Sequence, residues 1–561
     1  TMEGMKRTEP LSLTKLPKGS TVEILLQGEN SITVDEILGS EISDWYDEEM
    51  TYARGIDADG MNLVFSGSGS LTVRTDGLKA GQAGTNIAIN CETLTVNSGT
   101  LKVYTGYAQQ ESTAIRTGYE DTGRVTLNGG TLEVRGGCDT PSGTYAAKST
   151  CGLSTQSFTM TGGQLTIWSY GAQHSNYNFR TNDYKQTGGT VSLHQKNQQG
   201  GFYAYDAQLG GKAVLQIDRY MDNDISQVTV SDDARLEMQS GFHTNSVLVE
   251  DRGSLILTNA SSVISCSYGE GITVTGGTMS VTTNLEGGYY GAIDMRDCEQ
   301  IKVTGGTLKV ESQGPMAMYG ISNFGSFDPL TISVTGGILS AKGPWGGIKI
   351  DGAIEVSGGN LTARGGDSSF YTAGIEGQNL RVQVSGGVLD AAGGVCNTWP
   401  EYPKGEAGAQ DGYAYGSYGI RLGSERTATV NVTGGTLKAY SNGTGGGAGI
   451  CAWSVGQSGG TISTDSIYQT SSNTYIDPNK LPAATETLPD TITGEESGYS
   501  WVYTLSSGKL HFIERDGSGP SSQEIMERLE KMGYQVSSIS VEFVEYRYPG
   551  YGEELPKTGT Y

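Results

Sequence analysis

A near-identical phrase recurs along this chain, and it constrains the fold more than any other feature. Residues Val125 to Val134 read Val-Thr-Leu-Asn-Gly-Gly-Thr-Leu-Glu-Val, and Ile301 to Val310 read Ile-Lys-Val-Thr-Gly-Gly-Thr-Leu-Lys-Val. Further copies surround Gly162-Gly163, Gly188-Gly189, Gly276-Gly277, Gly336-Gly337, Gly358-Gly359, Gly386-Gly387, Gly434-Gly435 and Gly459-Gly460. Degenerate copies sit near Gly69, Gly99, Gly210, Asp232 and Gly253. The spacing, roughly 22 to 48 residues over about fifteen units, is that of a repeat array in which each unit packs only on its neighbours. Such an array is stiff and rich in accessible surface, and binding is the function that surface serves by default.

Within a unit the apolar residues alternate. Ile301, Val303, Leu308 and Val310 share one face, Lys302 and Lys309 the other, which is the period of a half-buried strand. The glycine pair supplies positive φ angles for a sharp change of direction. A β-hairpin would also use such a pair, but it would set Lys302 across from Lys309, and facing like charges are unfavourable. A second phrase, Gly or Ala before Ile, falls between the glycine corners at Gly55-Ile56, Ala114-Ile115, Ala292-Ile293, Gly320-Ile321, Gly347-Ile348, Gly374-Ile375, Gly419-Ile420 and Gly449-Ile450. Three short strands per unit predict an all-β chain, a right-handed parallel β-helix of about fifteen coils. At ~4.8 Å per coil the stack would reach on the order of 70 Å.

Residues 1–52 read as a strand-rich N-terminal cap, with a strand at Thr21–Leu26, and 53–466 as the β-helix. Residues 467–497, with Pro478, Pro482 and Pro489, read as a Thr/Pro/acidic linker. A small α+β domain is expected over 498–548: a hairpin of 500–505 with 509–513, a helix over 522–532 opened by the Ser521/Glu524 capping box and stopped at Gly533, and a strand within 535–546. Residues 549–561 form a tail.

The formal charge of −24 argues against nucleic acid and anionic membranes as partners. No run of 18 apolar residues exists to cross a bilayer as a helix. The chain opens Thr1-Met2-Glu3 without a signal peptide and reads as a trimmed start. Seven scattered cysteines without a CxxC pair fit neither a zinc site nor a disulfide framework, so they read as buried small apolar residues; Cys138 with Cys151 is the one local bridge the spacing allows.

The tail holds Leu555-Pro556-Lys557-Thr558-Gly559, behind a short acidic stretch. It resembles the LPxTG sorting signal that sortases cleave between Thr and Gly when they join a protein to Gram-positive peptidoglycan. The apolar segment and basic tail that follow in that pattern are absent here. The repeat, over residues 53–465, resembles the glycine-rich β-helical repeats of Firmicutes surface proteins of the carbohydrate-binding-domain-containing type. The resemblance implies an extracellular, cell-wall-attached binding module with sortase and peptidoglycan as partners, and it fixes no ligand.

Chemistry is harder to find. Candidate acids on the repeat surface are Asp57, Asp59, Asp232, Asp233, Asp294, Asp297 and Asp351, which read mainly as solvated corners. Asp57-Ala58-Asp59-Gly60 opens like a calcium loop but lacks the later Glu of an EF-hand; Ca²⁺ is the one cofactor left open, and none is called for. Four histidines (His174, His194, His243, His511) form no readable triad, although His174 and His194 fall in neighbouring units.

Aromatic residues are more informative. Tyrosine outnumbers phenylalanine 31 to 10, which suits a wet contact surface better than a core. One cluster holds Trp168, Tyr170, Tyr177, Phe179 and Tyr184, continuing to Phe202, Tyr203 and Tyr205. A second lies in the longest insertion, with Trp399, Tyr402, Tyr413, Tyr415 and Tyr418 beside Glu401, Glu406 and Asp411. Tyrosines stacked as ladders that only cover coil edges are the plainer alternative. The expectation is an adhesin that binds a polysaccharide or a host glycoprotein, such as a mucin or an immunoglobulin, without performing chemistry. The rival is a polysaccharide lyase or glycoside hydrolase on the same scaffold.

Overall fold

A computed structural model describes residues 1–43, 48–77, 84–118, 122–137, 147–170, 172, 175–195, 200–218, 223–260, 263–284, 291–313, 318–323, 329–368, 371–396, 416–442, 447–481, 491–496, 499–506, 509–514 and 541–545. The chain is a parallel β-helix. It divides into two compact units: Thr1–Asp294 with Val303–Gly320 and Gly337–Ser340, and Met295–Lys302 with Ile321–Gly336 and Ala341–Tyr561.

In the first unit a coil consists of three strands, as in Glu111–Thr117, Arg124–Leu127 and Thr131–Gly136. In other coils the first two strands run together, as in Thr85–Val96, Ser175–Gln186, Gly201–Leu209 and Asn223–Val230. Each strand pairs in parallel with its counterpart one coil away, so like residues stack. Leu71, Leu101, Leu132, Leu165, Val191, Leu215, Leu236, Leu255, Met279 and Leu308 make one register-matched column of buried side chains. Each such side chain contributes about 1.5–3 kcal/mol by leaving water, and the alternating residues between them face outward.

The two glycines of a corner do different work. The second takes the left-handed conformation, as Gly130 (φ 76°), Gly163 (φ 85°) and Gly189 (φ 73°) show. The first has ordinary φ but lies on the previous coil: a Cβ on Gly162 would meet the Asn128 carbonyl at 2.9 Å, and one on Gly188 the Thr161 carbonyl at 2.4 Å. Asp232 (φ 55°) and Asp251 (φ 53°) are left-handed corner residues without being glycine; aspartate is among the residues that tolerate that conformation. Asp232 accepts from the Gly211 amide (2.8 Å), and Asp233 forms a two-pronged pair with Arg252 (2.6 and 3.0 Å), so both acids act as corner residues. The glycine before Ile is also steric, since a Cβ on Gly55 would lie 2.4 Å from Val73 Cγ1 and 2.8 Å from the Ala88 carbonyl.

The N-terminal segment read as a cap joins the same ladders. Thr21–Gln27 pairs in parallel with residues 62–67, and Glu29–Thr33 with Ser70–Thr75. Asn30 stands below Leu71 in the apolar column, and its side chain donates to the Gln27 and Ser70 carbonyls (3.0 Å each).

The second unit repeats the plan. Leu361, Leu389, Leu437 and Ile462 stack in one column, and Ile354, Val382, Val430 and Val455 in another. Its parallel stack reaches Ile467–Gln469, whose free edge is covered by the antiparallel strand Thr474–Ile476. An uncovered edge would be a template for another chain. Beyond it lies a four-stranded sheet of Thr491–Glu496, Tyr499–Ser506, Lys509–Glu514 and Val541–Glu545. The last pairing is parallel, which requires a crossover. The helix expected over 522–532 falls in that crossover and lies outside the described residues, as does the 549–561 tail.

Candidate functional site

The outer face of each coil's first strand carries the densest cluster of the sequence-selected aromatics. Its orientation is set at the preceding corner by buried polar side chains. Asn86, Ser112, Thr150 and Asn176 share one register position inside the coils. Asn176 accepts from Thr150 (2.8 Å) and Ser169, while Asn178 donates to the His194 carbonyl (2.7 Å). With Asn176 and Asn178 turned inward, Tyr177 faces out. Phe179 turns into an aromatic core with Phe158 (5.0 Å, edge-on), Tyr184 (5.8 Å) and Phe202 (5.5 Å), and Arg180 is exposed.

One irregularity completes the arrangement. Pairing shifts by one residue between Tyr177 and Phe179 against Gly201 and Phe202, a bulge that sets Tyr203 opposite Arg180. The Tyr177 and Tyr203 rings stand 6.4 Å apart at 71°, with the Arg180 guanidinium 5.9 and 6.0 Å from their centres. Tyr205 is 55 % exposed. On earlier coils of the same face Glu111 pairs with Arg116 and accepts from Thr113 (2.6 Å). Burial raises the Glu111 pKa, but Arg116, Thr113 and Arg54 together outweigh it and hold the carboxyl below its ordinary value.

Third strands carry a second outward column: Arg74, Tyr104, Arg135, Trp168 and His194. Arg74 and Arg135 lie 5.3 and 4.8 Å from the Tyr104 ring, Trp168 stacks on His194 (4.2 Å, 25°), and His194 Nδ1 meets Asp218 (2.8 Å). Here ring faces are covered by neighbouring side chains. Tyr170, although selected as a contact residue, is 8 % exposed.

In the second unit Tyr418 is buried among Ala373, Ala448, Cys451 and Tyr468, with Tyr371 against it. Arg421 lies 5.2 Å from the Tyr371 ring and 5.9 Å from the Tyr418 ring. Glu376, one coil away in register, takes Arg421 at 3.3 Å and Lys349 at 3.4 Å. Burial lowers the Arg421 pKa, but Tyr371 and Glu376 more than reverse it, so the guanidinium stays charged. Burial pushes the Tyr418 phenol up.

The structure thus brings Tyr177 and Tyr203 together, leaves Trp168 on a separate column and buries Tyr418. Trp399, Tyr402, Tyr413, Tyr415 and His174, like Leu555, Pro556, Lys557, Thr558 and Gly559, lie outside the described residues. Sequence reasoning missed Arg180, Arg421 and Glu376. The available signal was a shared spacing, Tyr177 with Arg180 and Tyr418 with Arg421, each bracketing an apolar residue of the Gly/Ala-Ile phrase position. Among the candidate acids, Asp351 accepts from the amides of Gln378 (2.7 Å) and Asn379 (2.9 Å), and Asp59 pairs with Lys18 (3.7 Å). Among the described residues no group of three or more His, Cys, Asp and Glu is placed to hold a metal ion. Cys151 carries a free, buried thiol, and Cys138, the partner the spacing allowed, lies outside the described residues. Fold and face define a rigid parallel β-helix that displays tyrosine and arginine from adjacent coils. No protein-family model, curated protein or solved structure matches the chain.

Proposed function

We propose that this is an extracellular surface protein of a Gram-positive bacterium, attached to the cell wall through Leu555–Gly559 and binding glycans or host glycoproteins through its coil faces. The observation that carries the reading is the half-buried pairing of Tyr177 and Tyr203 around the exposed Arg180 on consecutive coils. Tyrosine offers a flat apolar ring with a polar tip at low ordering cost, which suits sugar faces and hydroxyls. A lyase or hydrolase on the same scaffold would find its acids and cations around Glu376. Binding is the better-supported reading, because Glu376 is 5 % exposed and already holds two cations, and an arginine held this firmly charged is a poor base.

The test is retention of plant polysaccharides, mucins and serum glycoproteins by the purified protein, with Ca²⁺ or EDTA. Retention of intact ligand supports binding, and release of reducing or unsaturated ends overturns it in favour of an enzyme. Attachment is tested separately with a sortase and an oligoglycine acceptor: transfer at Thr558 is expected, and its loss in Pro556→Ala. An unmodified wild-type chain would remove the cell-wall assignment.

A further inference from the structure

Two places on the first-strand faces hold an arginine between two tyrosines; the one at Arg421 is more buried, and the two differ in what partners the arginine. Arg421 lies between Tyr371 and Tyr418, and its register neighbour Glu376 supplies a carboxylate at 3.3 Å. Arg180 lies between Tyr177 and Tyr203, but its corresponding neighbour one coil earlier is Ser154. Among the described residues Arg180, like Arg124 on a second strand, has no ion-pair partner, while Arg74, Arg116, Arg135, Arg252 and Arg381 all have one. In a chain of charge −24, an exposed unpaired guanidinium on a face of charge pairs is a conspicuous departure. The protein's distant negative charge does little to oppose an anion here, because screening at physiological salt acts within about 8 Å.

We propose that Arg180, Tyr177 and Tyr203 form a subsite for a carboxylate-bearing sugar, a uronic or sialic acid residue, whose carboxylate takes the place that Glu376 fills for Arg421. This rests on the glycan-binding reading and specifies its ligand class. The planar guanidinium matches a carboxylate with two parallel hydrogen bonds. Rings meeting at 71° make an apolar corner for the carbon face of a pyranose. An acidic peptide is disfavoured, because extended peptides add to unpaired strand edges, and Ser175–Gln186 is paired on both sides.

The test measures binding of the full chain to 3′-sialyllactose against lactose, and to a galacturonate trisaccharide against its carboxyl-reduced counterpart. Arg180→Gln and Ser154→Glu are compared with wild type; the second rebuilds the internal carboxylate on an outward position and leaves the core untouched. Hexaglutamate is the peptide control. The acidic member of at least one pair is expected to bind about tenfold tighter or more, as a hydrogen-bonded charge pair implies. Both variants should erase that preference while keeping the wild-type circular dichroism spectrum and unfolding midpoint. Equal binding of acidic and neutral sugars, or an unchanged preference in both variants, overturns the subsite but leaves glycan binding standing. Hexaglutamate bound as tightly as the acidic sugars overturns the sugar assignment. No binding of any oligosaccharide overturns the subsite and counts against the glycan reading on which it rests.

Discussion

The first glycine of each corner pair yields a sharp prediction, because two chemically identical substitutions should behave differently. A Cβ on Gly188 would stand 2.4 Å from the Thr161 carbonyl oxygen and 3.2 Å from its carbon, both backbone atoms of the previous coil. A Cβ on Gly210 would meet only Asp232 Oδ2 at 3.3 Å and Ser231 Oγ at 3.4 Å. These side-chain atoms are nearly at contact distance already and can shift slightly without breaking their hydrogen bonds to the Gly211 amide and the Leu209 carbonyl. Gly188→Ala must therefore push adjacent coils apart by about 1 Å at the corner, where the Thr187 amide donates to the Met160 carbonyl (2.9 Å). Overpacking of this kind costs about 1–3 kcal/mol, against about 0.4–1 kcal/mol gained because alanine restricts the unfolded chain. The expected net loss is about 1–2 kcal/mol for Gly188→Ala, with Gly210→Ala within about 0.5 kcal/mol of neutral. Urea unfolding followed by circular dichroism gives the global difference. Hydrogen exchange at residues 186–190 reads the local one, since a coil's stability depends mainly on its neighbours. Equal losses in the two variants, or a neutral Gly188→Ala, would refute the claim that coil-to-coil backbone contact selects the first glycine.

The remaining predictions concern titrating groups. Burial, then the hydrogen bond to Glu133, pushes Tyr104 up from an ordinary 10 to about 12. Its folded pKa exceeds its unfolded one, so its stabilisation is complete below pH 10 and disappears as pH rises through 12. Tyr104→Phe should lose less of its own stability than wild type across that window; parallel alkaline unfolding curves would contradict this. Burial also raises the pKa of Cys91, Cys151 and Cys451. With Cys266, Cys298 and Cys396 also buried, none of the six should react with a thiol reagent in the native protein and all should react in urea. Peptide mass spectrometry showing native labelling at any of them would count against the packing described.

The coil columns were legible because they are local: alternation within Val125–Val134 fixes which residues face inward, and stacking repeats the choice. The need for two glycines was legible only in part. The second could be inferred from φ, whereas the first answers to the carbonyl of a residue roughly one coil earlier, as Gly188 does to Thr161. The N-terminal strands escaped the repeat reading because Thr21–Gln27 and Glu29–Thr33 pair in register without the Gly-Gly phrase. Tyrosine excess was a poor guide to which rings face solvent. Tyr184 is fully buried, its hydroxyl donating to Gln186 (2.6 Å), and Tyr418 is buried as well, while Tyr205 is exposed.

The candidate site illustrates why the rest was not legible. Tyr177 and Arg180 belong to one strand, but Tyr203 reaches them only through the one-residue shift at the bulge. Without that shift the pairing of Tyr177 with Gly201 would continue to set Phe179 opposite Tyr203 and Arg180 opposite Ala204, and Tyr203 would lose its place beside the guanidinium. No composition or spacing rule marks such a shift, because its cause is a difference in length between two stacked strands, Ser175–Gln186 and Gly201–Leu209. Phe179 stacks in register with Leu153 and Phe202 and closes the core beneath the site. Inserting one residue between Gly201 and Phe202 would give Asn178 a counterpart and remove the shift, so it should leave Tyr203 opposite Arg180 and the aromatic core intact together. A variant that kept native ring packing while losing the Tyr203–Arg180 pairing would show that the two are independent, contrary to the geometry described.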